Sequence, residues 1–305
     1  MRPLALALAA CCAASAAVAH ELPVRLSDGA SWTMTVQRDR ERVRQGQAPQ
    51  ALHSQSVSRL DWKGSGTGGV LTVTPQSATA SSRDGPEVDA QTLLKQPIVL
   101  EVDEALSPVS IVNWAEVRQA LDQAIGERVT DSKVRPAMQN MISGLPPDQA
   151  APVLMREMGL ASLGQGLALE VGEDFPYADQ LPNPLGGPPV AASGRFHLES
   201  YDEKAGRAVV LWNNAFDQAS ASESLRKSME LLVKQIAPDK AADAMKFFEG
   251  AKVDRQDACR HEIDISTGLA VRAVCSSTIS ISASGQSARN VDRWTISQTL
   301  PKTNP

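Results

Sequence analysis

The sequence predicts an α+β protein: a large curved antiparallel sheet, an open half-barrel, with helices packed on its concave face. Three observations predict it. Several stretches alternate apolar and polar residues with a period of two, the mark of strands that bury one face. One late strand, residues 269–283, runs for about fifteen residues, and a strand that long must coil. Between the strand blocks lie segments with apolar residues at helical spacing.

The chain opens with a positive charge at Arg2, an apolar and small-residue stretch over 4–19, and then His20 and Glu21. This is the layout of a signal peptide spanning 1–19, cut after Ala17-Val18-Ala19. It predicts a periplasmic or secreted protein. Leu8-Ala9-Ala10-Cys11 also fits a lipobox, which would anchor the chain through an acylated Cys11, and both readings stand. No later segment is apolar enough to span a bilayer as a helix. Residues 20–305 read as a single α+β domain, in an order of elements that also suits two halves, 20–165 and 166–305.

Trp32, Met34 and Val36 alternate with Thr33, Thr35 and Gln37 and predict the first strand. Residues 53–62 predict a second, the glycine-rich run 64–69 a hairpin loop, and 70–74 the returning strand. Residues 76–87 are rich in Ser, Ala and Gly and read as a loop. Ile98, Leu100 and Val102 set another strand, and 109–112 a short one. Asn113 and Glu116 form a capping box ahead of Val117, Leu121 and Ile125. Val134, Met138, Met141 and Ile142 mark a second helix, and 148–158 a third, ended by Gly159. Residues 167–171 read as a strand and 176–189 as a long irregular connection. A hairpin then joins 195–201 to 207–212 through a turn at 202–206. Ser220 and Glu223 start a helix with Leu225, Met229, Leu232, Val233 and Ile236 on one face, and 238–248 is a further helix. Strands at 258–283 and 291–300 end the chain.

Cys259 and Cys275 are the cysteines outside 1–19. Ser266-Thr267-Gly268 suits a three-residue hairpin loop, with Gly268 at the position that needs positive φ. Counting outward, Ile265 faces Leu269, Ile263 faces Val271, Glu262 faces Arg272, and Cys259 lands opposite Cys275. The pleat places both cysteines on the apolar face. Turn and pattern select one register independently. A Cys259–Cys275 disulfide follows, in keeping with an oxidising compartment.

The formal charge is −5, or −6 once Arg2 (+1) is removed, and there is no dense basic cluster. That argues against nucleic acid and anionic membrane as partners. With 5 Trp, 5 Phe and 2 Tyr, the chain is poorly equipped for the aromatic platforms of carbohydrate-binding surfaces. The mixed-sign run 38–44 reads as a solvated strand end. The P-loop, the G-x-S-x-G elbow, H-E-x-x-H, the EF-hand loop and C-x-x-C are all absent, so the sequence implies no enzyme and no cofactor. His20 would become the N-terminal residue after cleavage. A terminal histidine chelates copper through its amine and ring, with His53, His197 or His261 to complete the site.

An exported, disulfide-pinned, coiled antiparallel sheet with helices inside it resembles the Lol-type half-barrels that carry lipoproteins and lipids in the bacterial periplasm. The turns at 201–206 and 264–268 also resemble those of uncharacterised bacterial exported proteins. The Lol-type resemblance lies in the order of elements and matches no motif residue by residue. It implies a non-enzymatic periplasmic protein that binds a lipid or other hydrophobic ligand between sheet and helices. Leu225, Met229, Leu232, Val233, Met245 and Phe248 are the expected lining. Two alternatives stand beside it: an envelope structural or interaction protein without a ligand cavity, and a copper protein using His20.

Overall fold

The computed structural model describes residues 19–64, 68–82, 88–89, 96–128, 131, 135–136, 139, 144–181, 183, 189–236 and 250–300, the side chains at 88–89, 128, 225, 229 and 231–236 apart. In chain order the strands begin with β1 (Ala19–Glu21), β2 (Ser31–Arg44), β3 (Gln50–Gly64), β4 (Gly68–Ser82), β5 (Val88–Asp89), β6 (Ile98–Asp103) and β7 (Pro108–Ile111). Among the described residues the helices that follow are α1 (Trp114–Arg128), α2 (Pro147–Leu154) and α3 (Arg156–Ser162). Then come β8 (Ala168–Glu170), β9 (Asp174–Leu181), β10 (Val190–Asp202) and β11 (Arg207–Phe216). Helix α4 (Gln218–Ile236) precedes β12 (Lys252–Asp264), β13 (Ala270–Ala283) and β14 (Gln286–Gln298).

Twelve strands form one antiparallel sheet in the order β7-β6-β4-β3-β2-β14-β13-β12-β11-β10-β9, with β5 beside β4. Its edges, β7 and β9, do not pair with each other, so the sheet is not closed into a barrel. Strands β1 and β8 form a separate pair. Strand β14 pairs with β2, joining the last strand to the early ones. Trp32 Nε1 donates to Gln298 Oε1 (2.7 Å), and Gln298 Nε2 donates to the Ala270 carbonyl (3.0 Å). That buried amide ties β2, β14 and β13 together and satisfies the indole N–H.

Directly opposed residues share a face, so the registers define rows across the sheet. One row holds Val36, Ile296, Ala273, His261, Val210 and Leu198. The next holds Arg38, Trp294, Cys275, Cys259, Trp212 and Phe196. The third holds Arg40, Asp292, Ser277, Asp257, Asn214 and Gly194. This face shares a core with the helices: Trp32, Met34, Leu60, Leu71, Leu100 and Trp294 pack in one cluster with Val117, Leu121, Ala151, Met155 and Met158. Ala221 of α4 joins Val190, Ala192, Phe216 and Val253 in another. Burying side chains of this size is worth about 1.5–3 kcal/mol each, which holds short helices on the sheet.

The cysteines meet as the spacing predicts, with Cys259 opposite Cys275 and Sγ bonded to Sγ at 2.05 Å. Glu262 opposes Arg272 on the wetter face. Closer to the turn the register differs from expectation. Ile263 faces Ala270 rather than Val271, because a bulge falls after Glu262. The loop is one residue longer than a three-residue turn: Asp264 N–H donates to the Leu269 carbonyl (2.9 Å), and Gly268 N–H to the Asp264 carbonyl (2.7 Å). Asp264 Oδ1 organises it, accepting from Thr267 N–H and Thr267 Oγ1 at 3.0 Å and from Ser266 Oγ.

Other expectations shift for physical reasons. Residues 76–82 are strand, because β4 keeps its ladder with β3 past the bulge at Val57 and Ser58. Residues 176–181 are strand, since Pro176 sits on an edge where its missing N–H interrupts no ladder. Asn113 Oδ1 accepts from Val99 N–H (2.8 Å), so its side chain ties α1 to β6 instead of capping the helix. Asp217, not Ser220, caps α4: its Oδ1 accepts from Ser220 N–H (2.8 Å). The predicted 148–158 helix is two helices, broken at Met155 (φ −112, ψ 35), and the second runs past Gly159 to Ser162. The predicted helix through Val134, Met138, Met141 and Ile142, and that over 238–248, lie outside the described residues, as does Cys11. Among the described residues no helix is long and apolar enough to cross a membrane.

Candidate functional site

Between the sheet and the α2–α3 pair lies a cleft of about 210 Å³. Met34, Val36, Val73 and Ile98 line it from the sheet, and Leu154, Met155 and Met158 from the helices. Ser56, Ser58 and Ser77 add small polar groups, and Glu157 stands at one end. The break at Met155 shapes it. Leu154 ends α2, Met155 is the break and Met158 belongs to α3, so the cleft wall spans both helices. Unbranched methionine adapts its shape to whatever it meets.

Beyond Val36 the same face becomes charged. Arg38 and Arg40 continue the inward phase of Trp32, Met34 and Val36, and both bond Asp292 Oδ1, at 3.0 and 2.8 Å. Burial pushes the Asp292 carboxyl up, but the hydrogen bonds from Arg40 and Arg38 outweigh it and hold the group below its ordinary range. Arg255 makes a two-pronged contact to Asp257 Oδ2, at 2.9 Å from Nε and 2.7 Å from Nη2. Arg156, the first residue of α3, lays its guanidinium over Trp294, with Cζ 4.6 Å from the ring centre, and Arg38 Cζ lies 5.1 Å from the same ring. Burial and the nearby Arg255 lower the Arg156 pKa from its ordinary value. Run 38–44 is therefore not a solvated strand end throughout. Parity was the signal for it, since residues 38 and 40 stand two and four past Val36.

The expected lining residues fall outside what the structure describes: the side chains of Leu225, Met229, Leu232 and Val233, and all of Met245 and Phe248. The residues that line the cleft from α2 and α3, Leu154, Met155 and Met158, belong to the segment 148–158 that the sequence marks only as a helix. His20 sits opposite Leu169 in β1–β8 and stacks on Tyr201, ring centres 4.0 Å apart. The other histidines are engaged elsewhere: His53 with Asp39 (2.8 Å), His197 with Asp174 (2.9 Å) and His261 with the Leu160 carbonyl (2.8 Å). Larger hollows of about 530 and 460 Å³ open on the opposite face, around Lys252, Asp254 and Ser280 and around Arg260, Val274 and Arg293. Their linings mix charges, unlike the cleft.

Cys259, His261 and Cys275 bring three ligand-type atoms within 4.8 Å of one another. The two sulfurs are bonded together, and a metal needs thiolate, so the trio is no metal site as it stands. His261 is fully buried, and desolvation lowers its pKa from 6.5, partly opposed by backbone hydrogen bonds at Leu160 and Val210. Below pH 6.5 the unfolded chain therefore binds a proton that the folded protein refuses. Stability is full above that pH and falls as the pH drops toward the folded value, by up to about 1.4 kcal/mol per unit. Urea unfolding at pH 7.5 and 5.5 checks this. His261→Gln is expected to flatten the slope, and a wild-type stability unchanged over that range contradicts the assignment.

No protein-family model matches the chain, and no curated protein sequence matches it. Among solved structures it is similar to lipovitellin, in work on lipid–protein interactions, at 10% identity and TM-score 0.46 over 92% of this chain and 26% of that one. The chain thus spans about a quarter of the lipovitellin chain. It is also similar to DynF of the dynemicin pathway of Micromonospora chersina, at 6% identity and TM-score 0.22 over 93% and 86% of the two chains. OccK5 of Pseudomonas aeruginosa matches at 8% identity and TM-score 0.26 over 91% and 99%.

Proposed function

We propose that this protein is a non-enzymatic carrier of the cell envelope that holds one apolar chain of a lipid or other hydrophobic ligand between sheet and helices. The carrying observation is the cleft walled by Met34, Val36, Val73, Ile98, Leu154, Met155 and Met158. In this reading the sheet is an open half-barrel of the Lol-type kind, α2 and α3 lie on its concave face, and the signal peptide delivers the chain to the periplasm. A mostly apolar space favours a hydrocarbon, with Ser56, Ser58, Ser77 and Glu157 as its few polar groups. Its volume lies below the roughly 300–1,000 Å³ of drug-sized sites, so it suits a single short chain rather than a bundle of acyl chains.

The same small volume favours a second reading, an envelope interaction protein in which helices and sheet pack solidly. Met158→Trp separates the two. If the cleft takes ligand, wild-type protein binds octanol, a neutral apolar probe, and the Trp side chain abolishes binding while leaving the fold intact by circular dichroism. If the layers pack solidly, neither protein binds it.

A further inference from the structure

The charged rows beside the cleft have one arginine more than their partners neutralise. Arg38 and Arg40 share Asp292, and Arg255 has Asp257. Glu157 lies 3.9 Å from Arg38 Nη1. Four guanidinium groups thus meet three carboxylates. Arg156 is the one left over: among the described residues its guanidinium makes no hydrogen bond and has no carboxylate within ion-pair distance. It is half-buried all the same. Asp257 and Asp292 attract it from beyond ion-pair distance, but a half-buried cation without a direct counter-charge is still unfavourable, and ring stacking on Trp294 offsets only part of that. The indole N–H of Trp294 is a second buried donor without a partner.

These donors adjoin the apolar cleft. Glu157 lines the cleft and contacts Arg38, Val36 lines it and precedes Arg38 on the same face, and Arg156 lies between Met155 and Glu157, both of which line it. Asp257 Oδ1 is an unpartnered acceptor. It belongs to β12, two strands from β14, and Glu157 stands at the end of the cleft itself, so both carboxylates repel an anion and the two guanidinium groups have to outweigh them.

We propose that Arg156, with Arg38, binds the monoanionic head group of an amphiphile whose chain occupies the cleft. This rests on the cleft reading above and adds the class of ligand to it. A single negative charge matches the single excess arginine, and the flat guanidinium fork suits the two oxygens of a carboxylate or of a phosphodiester. Covering the head group would also remove the exposed edge of Arg156 from water.

Calorimetric titrations with octanoate and octanol at neutral pH test it, using wild type, Arg156→Gln and Arg156→Lys. Octanoate and octanol share a chain, so their ratio isolates the head group. Wild type is expected to prefer octanoate by about tenfold, and Arg156→Gln to lose that preference while keeping octanol affinity. Equal affinities in wild type overturn the head-group assignment and leave the cleft standing. Binding of neither probe overturns both. If Arg156→Gln loses octanol as well, Arg156→Lys decides: a retained preference supports the assignment and a lost one overturns it. Repeating the series with octyl methyl phosphate tells a phosphodiester from a carboxylate source, the tighter of the two anions naming the head.

Discussion

Gly268→Ala is expected to destabilise the protein by about 3 kcal/mol, the largest effect of any one-methyl change in the C-terminal hairpin. Two terms add. Gly268 has φ +72, and the left-handed region is unfavourable for an L-residue by about 1–2 kcal/mol. A Cβ there would overlap the Pro23 carbonyl oxygen and stand 2.6 Å from Pro23 C and 2.8 Å from Val24 Cα. Overpacking of this kind costs about 1–3 kcal/mol. The N-terminal segment has little room to step aside. Arg25 N–H donates to the Thr267 carbonyl (2.8 Å), Leu22 N–H to the Leu167 carbonyl (2.8 Å), and Gly166 N–H to the Leu22 carbonyl (2.8 Å). Gly285→Ala is the control: φ is +76 and nothing lies within 4 Å, so only the backbone term of about 1 kcal/mol is expected. Urea midpoints for both variants measure the difference, and equal midpoints would contradict the clash.

Removing the disulfide is expected to have the second large effect, a loss of about 2–3 kcal/mol in a Cys259→Ala, Cys275→Ala double variant. Its ends are 16 residues apart, and constraining a loop of that size in the unfolded chain is worth about 3 kcal/mol. A hairpin that forms locally before the rest folds reduces this. Packing adds to it, since the sulfurs lie in the row between Trp294 and Trp212 and both cysteines are buried. Denaturant unfolding of the double variant and of reduced wild type should agree. Stability untouched in both would mean that the bridge constrains nothing the fold does not already hold.

The parts that were legible in the sequence share a property: two local signals agreed. Gly268 and strand parity both pointed to Cys259 opposite Cys275, and the pairing is found. The bulge between them was hidden because Asp264 lengthens the turn through side-chain bonds to Ser266 and Thr267, and spacing does not show which oxygen a loop residue will use. Residues 76–82 lack large apolar side chains, so their strand rests on main-chain bonding to β3, which composition does not record. The charged end of the site was misread through chemistry overriding geometry. Charge points arginines to solvent although parity places Arg38 and Arg40 with Val36, and Asp292, the carboxylate that makes the inward placement tolerable, is 254 residues away from Arg38. The break at Met155 likewise has no strong local signal, although Pro152 inside α2 removes one helical hydrogen bond nearby.

Carriage of a ligand requires an apolar space between the two layers that admits a hydrocarbon. Titrating octanol into wild type and Met158→Trp, with heat as the readout, addresses it most directly. One saturable site per wild-type chain and none in the tryptophan variant is the expected result. No binding by either protein would mean that the layers are sealed, and equal binding by both that octanol sits outside the cleft; either result contradicts the carrier.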